Sequence, residues 1–377
     1  MTREEFNNLP KANQKLFAEA LSMVTNFMTN KKYDKQTYMN NLLKSIKNFY
    51  TLSLDEEKAS KLLNGKIGVC MQRNARKLTK AKRKLKKIFK KKPEKNFGKR
   101  ISTIAIDDTS HNNYLYNLKT LVHEISHADT LNHSEEVYLE RYNGLKIKNG
   151  GKEFGQGLDE AINEIYTEII MYEKYPNVFS DINKVDDLLY KPKYIKYNSS
   201  FPNINIIYED NMMIAKLLLI ACDNSLTTTY SSLEDTNEPF IEKEVILANG
   251  VKVVKNDLLY AGKHDLRMFK ENFNYMLGEG KYEELLNNFD LLLSDKNEKK
   301  NLKNHQKLLD KKVIIDIINT IDEYKEKKFE IFKENGYWNR AQANYNEMIY
   351  RDYKIHLCYI YGIDKYDLEE NNKKYTI

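Results

Sequence analysis

The stretch that most constrains this chain is His123-Glu124-Ile125-Ser126-His127, an H-E-x-x-H pattern. Two histidines four residues apart reach one metal ion when the backbone between them is helical, because a helix stacks them on one face. The surrounding sequence agrees. Leu115, Leu118, Val122 and Ile125 recur at helical spacing, and Asp108-Thr109-Ser110 offers N-cap side chains upstream. Glu124 projects beside the open coordination position, where it can take a proton from water. With 7 His in 377 residues, composition alone gives about 0.01 expected matches to the pattern. The stretch therefore predicts a zinc site carried on a helix.

A catalytic zinc site takes three protein ligands and leaves a fourth position open. Two residues compete for the third place. His133 lies six residues after His127, the spacing of the metzincin group. In that pattern a glycine turns the chain so that the third histidine folds back. Here the position holds Thr130, a β-branched residue ill suited to positive φ. The other candidate is Glu160, within Leu158-Asp159-Glu160-Ala161-Ile162-Asn163-Glu164. This stretch resembles the second-helix motif of thermolysin-like zinc metallopeptidases, the gluzincins. Phe154-Gly155-Gln156-Gly157 before it looks like the Gly-rich lead-in of bacterial gluzincin-like peptidases.

The resemblance runs from the strand at Ile101 to the helix of Glu160. It implies that Glu160 ligates zinc and that Glu164 accepts the far N–H of His123, fixing the tautomer and the ring orientation. Asp159 stands where that group carries asparagine. The resemblance further implies that a tyrosine or histidine from the helical half steadies the oxyanion; Tyr208, Tyr230 and His264 are candidates. It implies zinc-dependent peptide hydrolysis with Glu124 as general base and acid. It names no substrate.

The rest of the chain frames this core. Hydrophobic residues make up 41% and charged residues 31%, which fits a globular protein with a full core and two or three subdomains. Residues 2–65 read as helices, with Phe17, Leu21 and Val24 on one stripe and Met39, Leu42, Ile46 and Phe49 on another. Ser53 with Glu56 is a capping-box spacing, and Gly65 a stop. Ile101 to Asp107 alternates like a strand; the resemblance to zinc peptidases implies the rim of a peptide-binding cleft, and the plain alternative is a sheet strand with no substrate role. Asn143-Gly144 and Asn249-Gly250 are hairpin dipeptides. Beyond Leu258 helices dominate. The expected fold is α+β and mostly helical: a zincin-like core with a small sheet above the H-E-x-x-H helix, flanked by helical regions. The expected divisions are 1–98, 99–235 and 236–377.

Charge is concentrated. Arg73 to Arg100 holds 15 Lys/Arg against one acid, Glu94. The whole chain is +7, and the remainder, with 46 basic and 53 acidic residues, is −7. The basic character thus belongs to one segment, read as a helix docked by the narrow stripe Leu78, Ala81, Leu85 and Ile88. An anionic partner at this segment (nucleic acid, a membrane surface or an acidic protein) is one expectation, and a solvated basic face is the other. No apolar run follows Met1, and Leu217 to Cys222 is too short to span a membrane. Cys70, Cys222 and Cys358 define no disulfide framework. A cytoplasmic protein is expected, and export without a signal peptide is compatible with the same sequence. Two other functions fit these features. One is a relic or regulatory protein binding polyanions through 73–100, and the other is a zinc protease effector or toxin acting on one protein.

Overall fold

In a computed structural model of the protein the described residues are 1, 3–28, 35–74, 100–130, 136–137, 140–149, 152–192, 196–199, 201, 209–222, 244–246, 252–254, 266–293, 303–334 and 340–364. They form two compact units, Met1–Asn143 and Gly144–Ile377.

The first unit opens with helices α1 (Arg3–Asn7), α2 (Lys11–Met28) and α3 (Lys35–Ser45). Phe17, Leu21 and Val24 of α2 are buried, as their spacing predicts. The second expected stripe breaks. Ile46–Thr51 is a strand, β1, and not a continuation of α3. Its register against its neighbour in the sheet, Arg100–Ile106, shifts between Ile46 and Asn48. A bulge of this kind changes the phase of a strand, so Ile46 and Phe49 both turn inward three residues apart and imitate a helical repeat.

Helix α4 (Glu56–Leu63) ends at Asn64 (φ 46°) and Gly65 (φ 81°), both left-handed, at the predicted stop. Ser53 does not cap it; the Ser53 backbone N–H donates to the Asp108 carboxylate at 2.9 Å. Two strands follow, β2 (Gly68–Asn74) and β3 (Arg100–Ile106). The sheet order is β1-β3-β2, with β1 parallel and β2 antiparallel to β3. The predicted strand at Ile101 is therefore the middle one, with both edges taken. That corrects its expected place at a cleft rim, because a peptide can add only to an open edge. Asn74 pairs with Arg100. The basic block thus leaves and re-enters the sheet at one point, and residues 75–99 themselves lie outside the described residues.

Helix α5 (Tyr114–Thr130) carries the H-E-x-x-H stretch. Its cap is Asn113, whose Oδ1 accepts the Tyr116 N–H at 3.1 Å. The expected Asp108-Thr109-Ser110 cluster serves a turn instead, with the Thr109 and Ser110 N–H groups donating to Asp107. Leu118, Leu121, Val122 and Ile125 are buried. Strands β4 (Glu136–Val137) and β5 (Glu140–Asn143) pair antiparallel.

The second unit begins with Gly144 (φ 59°) and the antiparallel pair β6 (Lys146–Asn149) and β7 (Lys152–Phe154). Helix α6 (Gln156–Lys174) follows, buried along nearly its whole length. Helices α7 (Asp187–Tyr190) and α8 (Glu209–Ala221) come next, the latter buried from Asn211 onward. Strands β8 (Glu244–Ile246) and β9 (Lys252–Val254) form the predicted hairpin, whose Asn249-Gly250 tip lies outside the described residues. Helices α9 (Leu266–Leu277), α10 (Lys281–Leu293), α11 (Lys303–Glu334) and α12 (Arg340–Tyr361) complete the unit. Leu285 and Phe289 of α10 and Ile314, Ile317, Ile318 and Ile321 of α11 are buried and recur at helical spacing. The protein is α+β and mostly helical, with a small mixed sheet. Among the described residues no helix is long and apolar enough to cross a membrane.

Candidate metal centre

Helical spacing does for His123 and His127 what the pattern predicts. Both are buried, at 8% and 5% exposure, and their rings lie edge to face with centroids 4.8 Å apart. Their Nε2 atoms face each other at 3.1 Å. Two ligand atoms of a tetrahedral zinc ion, each about 2.0–2.1 Å from the metal, stand about 3.3 Å apart. The pair is already spaced for one ion. Helix α6 supplies a carboxylate oxygen from Glu160, and the three donor atoms all lie within 4.8 Å of one another. Two imidazole nitrogens and one carboxylate oxygen form a donor set suited to zinc and its neighbours. His133, the competing candidate, lies outside the described residues, as do Tyr208, Tyr230 and His264.

Glu124 is 7% exposed, and what lies beside it comes from β2. A Cβ added to Gly68 would sit 2.6 Å from Glu124 Oε1 and 2.8 Å from Thr120 Cγ2. The first residue of an outer strand of the sheet thus presses against the carboxylate expected to move the proton. The end of α5 is anchored too: the Tyr38 hydroxyl donates to Asp129 Oδ1 at 2.5 Å, two residues past His127.

The acidic face of α6 is not solvated. Glu164 and Glu168 are 6% and 1% exposed. The Tyr197 hydroxyl donates to Glu168 Oε1 at 3.1 Å. Burial, reinforced by the charges of Glu168 and Glu164, pushes that hydroxyl well above the ordinary tyrosine pKa. Lys216 of α8, wholly buried, feels the Glu168 charge; burial depresses its ammonium and Glu168 offsets part of the effect.

Asp159, where the gluzincin pattern has asparagine, has a structural reason to be an acid. One oxygen accepts the Leu145 N–H at 2.9 Å, and the other pairs with Lys146 Nζ at 3.2 Å. Burial alone would lower the Lys146 pKa; the charges of Asp159 and then Glu160 outweigh it and raise the pKa. A cation thus stands beside the candidate third ligand. Lys146, Tyr197, Lys216 and Gly68 carry no motif and were invisible to sequence reasoning. Only strand alternation around Lys146 could have placed that residue on one side of β6. Comparison with protein-family models, with curated proteins and with solved structures gives no match for this chain.

Proposed function

We propose that the protein is a zinc-dependent metallopeptidase of the gluzincin kind, with His123, His127 and Glu160 as ligands. The observation that carries the reading is the convergence of these three donors within 4.8 Å, on the H-E-x-x-H helix and the acidic helix that the motif pair requires. A zinc ion held there supplies a Lewis acid that acidifies water and polarises a carbonyl. The protein's part is positional. Glu124, beside the two histidines and shielded from bulk water, takes the proton from the attacking water and hands it to the leaving nitrogen. Glu164, buried on the Glu160 face, steadies the far nitrogen of His123. An extended substrate adds along β2, which among the described residues pairs only with β3 and begins against Glu124. The zincin-like core belongs to this proposal, and so does the choice of zinc among divalent metals.

The test is metal content together with cleavage. Protein purified without chelators should hold about one zinc per chain; His123→Ala should lose it, and Glu160→Gln should bind it more weakly. Glu124→Gln should keep the metal and lose cleavage of denatured protein mixtures, scored by mass spectrometry of new termini. A chain that holds no metal under these conditions refutes the reading. Undiminished cleavage by Glu124→Gln removes that residue from the mechanism.

A further inference from the structure

Glu160 sits in the second turn of α6, so its position depends on how that helix begins. The start is unusual. The N-cap is Gly155, at φ 90°, and it has no side chain with which to hold the first N–H groups. The cap comes instead from α10, far along the chain. Asp290 Oδ2 accepts the Gly155 N–H at 2.8 Å, and Asp290 Oδ1 accepts the Gly157 N–H at 2.7 Å. A carboxylate at a helix N-terminus satisfies donors that have no partner within the helix and complements the helix dipole.

The neighbouring contacts leave the turn no slack. A Cβ at Gly157 would meet Phe289 O at 2.2 Å and Asn211 Nδ2 at 2.6 Å. Asn211 of α8 donates to that same Phe289 carbonyl at 2.7 Å. At Gly155 a Cβ would lie 2.9 Å from Leu145 O and from Leu286 Cδ2. Helices α6 and α10 therefore meet backbone to backbone, with the Asn211 side chain of α8 beside them, and Asp290 is the charged bolt of the joint.

We propose that Asp290 is a positioning residue for the metal centre: its carboxylate sets the axial place of the first turn of α6 and so the reach of Glu160. The inference rests on the metal-site reading above. It gives the C-terminal helical region, which carries no recognisable motif, a part in the site. Groups that orient metal ligands from behind typically contribute about 10- to 100-fold in affinity, and Asp290 should fall in that range.

The experiment uses the full chain and two probes, zinc in competition with a chromophoric chelator and Co²⁺ absorption as a report on ligand number. Asp290→Asn keeps the shape but sets an amide against a backbone N–H. It should weaken zinc binding by about 10- to 100-fold and shift the cobalt spectrum in the direction that Glu160→Gln does. The Asp290→Asn/Glu160→Gln double variant should bind no more weakly than Glu160→Gln alone, since both act through one ligand. A merely structural cap would lower the melting temperature, leave the cobalt spectrum unchanged and give additive losses; that result overturns the proposal. Should Asp290→Asn fail to fold, Asp290→Glu is read the same way. Retained helical circular dichroism with a shifted cobalt spectrum supports the role, and an unshifted spectrum overturns it. If the unmodified protein binds neither metal, the metal-site reading itself falls and this inference falls with it. If it binds both and the variants match it, only the positioning role is lost.

Discussion

Gly68 shows how much of the site depends on an absent side chain. Glu124 fits because nothing projects from the start of β2, and Gly68→Ala would force its carboxylate and the Thr120 methyl to move. If the chain cleaves peptides as proposed, the expected outcome is a loss of up to about 100-fold in cleavage, since displacing a catalytic group by an ångström costs about that much. Metal content and melting temperature should change little, because the displaced atoms are side-chain ends. Cleavage at the parental rate by a metal-replete Gly68→Ala protein would remove the contact from the mechanism. At this scale the sequence is legible where chemistry demands a fixed spacing. His123 and His127 announce themselves because a shared metal ion would require them on one helical face, and Glu124 because the pattern sets it between them. Gly68, Lys146 and Lys216 do not, because their meaning lies in what approaches them from another element. Glu168 is silent for the same reason: carboxylates four apart look like a solvated face until Tyr197 and Lys216 close over Glu168.

Helix α6 is the element on which the site turns, and its seat is testable without any assay of function. Gly157→Ala places a methyl group 2.2 Å from the Phe289 carbonyl oxygen, a backbone atom that cannot step aside. Overpacking of this kind costs about 1–3 kcal/mol, to be measured by denaturant unfolding, and Gly157→Ala should fall in that range or above it. A stability loss under about 0.5 kcal/mol, the usual limit for a harmless surface change, would mean that the joint has slack. Long periodic elements were readable in the sequence: α2, α5, α10 and α11 bury apolar residues at helical spacing, whereas α6 and α8 are buried nearly all round. Strand β1 was not readable, because a bulge disguised its period. Strand β2 escaped as well; Gly68, Gln72 and the run into Arg73-Asn74 give no clean alternation. The role given to the Ile101 strand failed with it, since an unseen β2 leaves β3 looking like an edge.

Across the molecule, the tyrosine-rich composition has a thermodynamic consequence in the second unit. Tyr166, Tyr197, Tyr350, Tyr353 and Tyr361 all have hydroxyls whose pKa is raised, with burial the leading cause in each. Tyr197, Tyr350 and Tyr361 also donate to carboxylates, those of Glu168, Asp322 and Asp210. An acid with a raised folded-state pKa keeps its proton after the unfolded chain has released its own. Stability should therefore hold up to about pH 10 and fall above it, by up to about 1.4 kcal/mol per pH unit for each such group. Denaturant unfolding across alkaline pH, followed by tyrosinate absorbance, checks this. Early titration of these hydroxyls in the folded protein, or flat stability past about pH 11, would contradict it. Sequence stripes marked part of this core, but they could not say which hydroxyls would be sealed, because the carboxylates that receive them come from other helices.

The bond from Asp290 to Gly155 and Gly157 also orders events during synthesis. When Glu160 leaves the ribosome, the turn that carries it has its histidine partners already behind it but not its cap. That cap emerges only with α10, more than a hundred residues later. Until then the first amides of α6 have only water for partners, and Glu160 lacks its fixed seat. If the chain binds zinc as proposed, metal loading is a late step in the life of each chain, and a translation product cut short before Asp290 would carry the whole signature yet hold the ion poorly.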